Sequence, residues 1–114
     1  MSEQDFHRAV AQYLDLALGP ECWWTTIGHG GGGKVRGALL KAMGVKPGVP
    51  DILIRWYGWA GWIELKAPDG VVSREQKRVH LRLNQLGDAV LVARDLPTIE
   101  AWLIENRVPL KARL

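Results

Sequence analysis

The chain has 114 residues, 47% of them hydrophobic, which suffices for one domain around one modest core and leaves no room for a second. Lys and Arg number 15 against 12 Asp and Glu, a net charge of +3 with pI near 9.3, which mildly favours a polyanionic partner. A single cysteine, Cys22, excludes an intrachain disulfide, and no stretch approaches the roughly 20 apolar residues of a membrane span. The polar opening MSEQDFHRAV does not read as a secretory signal, so the expected setting is a reducing cytoplasm.

Over residues 3–18, Phe6, Val10, Tyr13, Leu14, Ala17 and Leu18 recur at three- and four-residue spacing and predict an amphipathic helix stopped by Gly19-Pro20. Residues 22–27 read as a short strand rich in aromatic and β-branched side chains, followed by the glycine run at 28–33 and a short helix over 35–43. Gly44 and Lys46-Pro47-Gly48-Val49-Pro50 break that helix and lead into Ile52-Leu53-Ile54, whose continuous apolarity predicts a strand buried on both faces. A second strand over 62–66 follows too soon for a parallel crossover, so an antiparallel hairpin is expected, turning within 56–61.

A helix over 73–86 carries Val79, Leu83 and Leu86 on one stripe and ends at Gly87. Ala89 to Ala93 predicts a third buried strand, 96–106 a last helix burying Ile99, Trp102 and Leu103, and 108–114 a basic tail of uncertain order. The order of elements implies an α/β fold with a mixed central β-sheet flanked by α-helices. Within it, the helix over 73–86 is a right-handed crossover between parallel strands.

Three ionisable residues fall where a buried strand pair should resist them: Asp51 at the start of one strand, and Glu64 and Lys66 within the next. Residues two apart on a strand share a face, so Glu64 and Lys66 point together, away from Ile63 and Leu65. If the hairpin turns about Tyr57-Gly58, Asp51 lies directly opposite Glu64. Facing carboxylates repel unless a cation lies between them, and oxygen ligands favour Mg²⁺ or Mn²⁺. Such an ion can activate water and neutralise charge on a phosphodiester, while Lys66 orients the water or stabilises the transition state. Taken singly, Lys66 reads as a structural ion-pair partner and Asp51 as a turn cap. Taken together, the three favour a catalytic centre.

Pro50-Asp51 followed by Glu64-Leu65-Lys66 resembles the PD-(D/E)xK nuclease signature. The wider layout resembles the virus-type replication-repair nuclease (VRR-NUC) domain, in the free-standing form associated with phages and prophages. Glu3 with Phe6-His7, Gly44, Gly48-Val49-Pro50-Asp51, Ile63-Glu64-Leu65-Lys66, Ser73-Arg74-Glu75-Gln76, and Leu83 with Gly87 carry that likeness along nearly the whole chain. The resemblance implies a restriction-endonuclease-like core and a Mg²⁺- or Mn²⁺-dependent DNA endonuclease acting on four-way junctions. It implies Asp51, Glu64 and the Leu65 backbone carbonyl as metal ligands and Lys66 beside the water, with Glu3 and Gln76 completing the site. Ser73-x-x-Gln76 is also a capping box, and Glu3 is also a carboxylate favoured at a helix start, where Asp5 competes for any functional role.

Gly28-His29-Gly30-Gly31-Gly32-Gly33-Lys34 matches the GxxxxGK spacing of a phosphate loop, but Val35 stands where Ser or Thr would bind Mg²⁺, which argues against nucleotide hydrolysis. His29, Lys34 and Arg36 are candidate DNA-phosphate contacts, as are Arg74 and Lys77, the latter two on what otherwise reads as a solvated helix face. Trp56, Trp59 and Trp62 cluster around the hairpin, either to stack on bases or, for Trp59 above all, to anchor a homodimer. His80 reads as a packed or surface histidine. The expected function is a structure-selective DNA endonuclease; an inactive DNA-binding module of the same fold and a nucleotide-binding protein are the rivals.

Overall fold

Ser2 starts the first helix by a reciprocal cap: its hydroxyl accepts from the Asp5 N–H, and the Asp5 carboxylate accepts from the Ser2 N–H. The helix so nucleated, α1 (Glu3–Ala17), buries Phe6, Val10, Tyr13, Leu14 and Ala17, the stripe that the spacing predicts. The structure, a computed structural model, describes residues 2–27 and 33–114. After α1 come β1 (Trp23–Thr26), α2 (Gly33–Ala42), β2 (Ile52–Trp56), β3 (Trp59–Leu65), α3 (Arg74–Gln85), β4 (Ala89–Ala93) and α4 (Leu96–Glu105). His29 and most of the glycine run lie outside the described residues.

The four strands form one mixed sheet in the order β1-β2-β3-β4, antiparallel except for the β3–β4 pair, which is parallel through the α3 crossover. Ile52, Ile54, Ile63 and Leu65 are fully buried with Val10, Leu14, Ile99 and Leu103 in the core that α1 and α4 share with the sheet. Gly61 is part of that core because a Cβ there would lie 2.7 Å from the Trp102 ring and closer still to Trp59. Its bareness lets those two indoles pack, with ring centroids 5.4 Å apart and planes tilted by 54°.

Several expectations give way to the layering. Strand β2 is not buried on both faces: Leu53 is half-buried and Arg55 exposed, because α3 packs on β4 and leaves that side of β2 uncovered. β4 is an edge strand, as β1 is at the other side of the sheet; within β4 only Ala93 is fully buried and the rest is half-buried. On α3 the buried residue is His80, while Val79 and Leu83 are half-buried and Leu86 is exposed. The basic tail is docked: Val108 is buried, Leu110 bridges Leu18, the Lys111 N–H donates to the Ala17 carbonyl at 2.7 Å, and the Leu114 N–H donates to Glu100 at 2.7 Å. Among the described residues no helix is long and apolar enough to cross a membrane.

Candidate active site

The hairpin turns on Tyr57-Gly58, and Gly58 takes a φ of 71°, a left-handed value that glycine adopts without steric cost. That turn pairs Trp56 with Trp59 and Ile52 with Ile63, where the ladder ends; Asp51 stands just before Ile52, its N–H donating to the Ile63 carbonyl at 3.1 Å and its carboxyl within hydrogen-bonding range of Glu64. A turn displaced by one residue would send Glu64 into the apolar core and Ile63 to the other face.

The approach to Asp51 is tied to α3 through Gly48. Its φ is 88°, and a Cβ there would stand 2.6 Å from the Glu75 carbonyl oxygen. The loop before Pro50-Asp51 therefore lies against the backbone of the first turn of α3, the turn that carries Gln76. Both the left-handed backbone and the close approach require glycine at this position.

Each carboxyl is held from its own side. Asp51 Oδ2 accepts from the Leu65 N–H at 2.8 Å, fixing it to the end of β3. Glu64 is 2% exposed; its Oε2 accepts from the Gln76 side-chain amide at 3.2 Å, and its Oε1 lies 3.3 Å from His80 Nε2. Burial pushes the Glu64 carboxyl up to about 8; the Asp51 charge and hydrogen bonding with the Asp51 carboxyl add to the shift, the nearby Glu3 adds a little more, and Lys66 opposes it. Burial, reinforced by the Lys66 charge, holds the His80 imidazole below its ordinary value. At neutral pH the carboxyl pair without a cation therefore tends to retain one proton and His80 to be neutral.

Gln76 does both things its position allows. Its carbonyl oxygen accepts from the Ser73 N–H at 2.8 Å, closing the capping box of α3, while its amide nitrogen donates to Glu64. The two ends of one amide serve cap and site together, so neither role excludes the other. Lys66 is half-buried and forms no ion pair within 4.0 Å with Asp51 or Glu64 among the described residues, although its charge is felt by Glu64 and His80. Glu3 is the exposed first residue of α1, close enough for its charge to raise Glu64, whereas Asp5 is occupied by the Ser2 cap. Leu65 ends β3 with its side chain fully buried and its N–H engaged by Asp51.

The residue that sequence reasoning undervalued is His80. It is packed, as expected of a helix histidine, but against Glu64 and not against the apolar core. The available signal was its place four residues after Gln76, which puts both side chains on one face of α3. Lys34, Arg36, Arg74 and Lys77 are exposed; Arg74 and Lys77 flank Gln76 on α3, while Lys34 and Arg36 lie on α2.

The tryptophans of the hairpin are engaged within the protomer. Trp59 stacks on Trp102 and donates to Asn106 at 3.3 Å, and Trp62 donates to Asp88 at 2.8 Å. Trp56 is half-buried, with its indole nitrogen buried and unpartnered among the described residues.

Among the described residues there is no cluster of three or more His, Cys, Asp and Glu side chains arranged to hold a metal. The unit available to a cation is the Asp51–Glu64 pair, which suits an ion that takes one or two carboxylates and keeps several waters. Two facing carboxyls, one of them buried and reluctant to ionise, are the charge distribution that a hard divalent cation would relieve. No known family model, characterised protein or solved structure matches the chain.

Proposed function

We propose that this chain is a Mg²⁺- or Mn²⁺-dependent DNA endonuclease with a PD-(D/E)xK core of the VRR-NUC kind. The observation that carries the proposal is the proximity of the Asp51 and Glu64 carboxyls at the end of the β2–β3 pair, close enough to hydrogen-bond with each other, with Lys66 just past the end of β3. A surface ion pair needs no such arrangement, and a buried carboxyl that favours its proton at neutral pH is a costly thing to keep for structure alone.

In this reading Asp51 and Glu64 hold the cation, with the Leu65 carbonyl and Glu3 as the further oxygen donors. The cation supplies Lewis acidity toward a water and toward the phosphodiester. Gln76 keeps Glu64 aimed at Asp51. The Lys66 ammonium orients the attacking water and offsets negative charge gathering on the phosphate oxygens. Arg74 and Lys77, exposed on the same helix as Gln76, are the proposed contacts to flanking phosphates. Branched DNA such as a four-way junction is the proposed substrate and a homodimer the proposed working form, since a two-fold pair of sites suits a substrate of nearly two-fold symmetry.

The test is incubation of the purified protein with Mn²⁺ or Mg²⁺ and a panel of linear, flap and four-way DNA, with Lys66→Ala and Asp51→Ala purified in parallel. Cleavage that needs the metal and vanishes in both variants is expected. DNA binding without metal-dependent cleavage in the wild type would instead identify an inactive DNA-binding module of the same fold.

A further inference from the structure

We infer that His80 is a positioning residue of the carboxylate pair, whose Nε2–H, acting with the Gln76 amide, sets the orientation in which Glu64 receives a divalent cation. The inference rests on the metal-dependent reading above and extends it to a residue outside the ExK and SxxQ motifs.

The geometry is a fork. Gln76 and His80 stand one helical turn apart on α3 and reach the two different oxygens of one carboxylate, Oε2 at 3.2 Å and Oε1 at 3.3 Å. The terminal torsion of a glutamate is broad and roughly two-fold, so a single donor would leave the carboxylate plane free to turn. Two donors on separate oxygens fix it. A carboxylate oxygen has two acceptor directions, so a fork that takes one on each leaves one on each for the side where Asp51 stands. Asp51 is anchored in the same manner by the Leu65 N–H on Oδ2.

Packing alone does not account for an imidazole here. His80 is 9% exposed and is the one buried side chain of α3, where Val79 and Leu83 are only half-buried. An apolar side chain would fill that space without the cost of desolvating a ring nitrogen. What the imidazole adds is a second polar hydrogen aimed at Glu64, on the oxygen that the Gln76 amide does not reach.

Mn²⁺ affinity of the metal-free protein, measured by titration calorimetry, reads this directly without any DNA. His80→Phe keeps ring volume and removes the donor; it is expected to weaken Mn²⁺ binding about 10- to 100-fold, the range found when an outer hydrogen-bond partner of a metal ligand is lost. His80→Gln places an amide N–H near the position of Nε2 and is expected to recover most of that loss, which a purely space-filling role would not allow. In the Mg²⁺ complex, long-range ¹H–¹⁵N spectra should show the His80 proton on Nε2. Unchanged affinity in His80→Phe, a His80→Gln variant that folds but binds no better than His80→Phe, or a proton on Nδ1 would each overturn the inference. Asp51→Ala separates the two levels. If wild type binds Mn²⁺ and Asp51→Ala does not, an unaffected His80→Phe defeats only the role of His80; if wild type binds no Mn²⁺, both readings fall.

Discussion

Replacing Glu64 by glutamine in the metal-free protein should remove a pH dependence that the buried carboxyl imposes on folding. The carboxyl titrates near 4.5 when unfolded and near 8 when folded, so between those values the native state holds a proton that the unfolded chain has released. Stability contributed by that proton is fully present below 4.5 and is lost as pH rises through about 8. His80 acts in the opposite sense: its folded-state pKa lies below 6.5, so its contribution fades as pH rises above that value. From pH 6.5 to 8 the carboxyl therefore dominates, and the Glu64→Gln variant carries what remains of the other groups. At 1.36 kcal/mol per unit while the difference in protonation is complete, and flattening near 8, the wild type should lose about 1 to 1.5 kcal/mol across this interval. Glu64→Gln should lose little. Denaturant unfolding followed by tryptophan fluorescence in EDTA at the two pH values measures the difference. Parallel pH profiles for the two proteins would refute the argument that Glu64 is strained by burial and by Asp51. With saturating Mn²⁺ the wild-type trend should reverse, because cation binding requires the ionised carboxylates.

Lys66→Ala should abolish cleavage while leaving the unfolding free energy within about 1 kcal/mol of wild type, since Lys66 is half-buried and forms no close ion pair; a variant that turns over normally removes Lys66 from the mechanism. Gly48→Ala should cost about 2 kcal/mol or more from left-handed strain and the clash with the Glu75 carbonyl, and should also depress Mn²⁺ affinity by moving Gln76; stability and affinity both at wild-type level would contradict the proposed contact. Gly61→Ala should destabilise by about 1 to 3 kcal/mol by forcing Trp59 and Trp102 apart, visible as altered tryptophan emission. Trp59→Ala should cost roughly 3 kcal/mol of fold stability through lost packing on Trp102, so sedimentation showing dimer loss at undiminished stability would return Trp59 to the interface.

Local pattern made much of this protein legible. The stripe of α1, an antiparallel hairpin turning within 56–61 and the parallel return through α3 all follow from spacings within about twenty residues, whereas the choice of Tyr57-Gly58 for the turn, and with it the register near Asp51 and Glu64, was left open by the sequence. Burial was less legible, because it depends on what covers each face. The sequence Ile52-Leu53-Ile54 reads as buried on both sides, yet Leu53 is only half-buried; Ala89 to Ala93 reads as buried, yet it forms an edge of the sheet with only Ala93 buried. The tail at 108–114 has no periodicity of its own and is held by partners at the end of α1 and on α4 that stand more than ninety residues and about fifteen residues away in the chain.

The candidate site divides along the same line. The sequence by itself determined which side chains share a face, because a period of two on β3 and of nearly four on α3 is a property of the backbone. Only the tertiary structure decided how α3 lies across β3. From that follow the amide of Gln76 serving as cap and tether at once, the turn of His80 onto Glu64, and the rise in the proton affinity of Glu64. The physical reason is that hydrogen bonding and desolvation depend on distances between elements, which no spacing along a single element encodes.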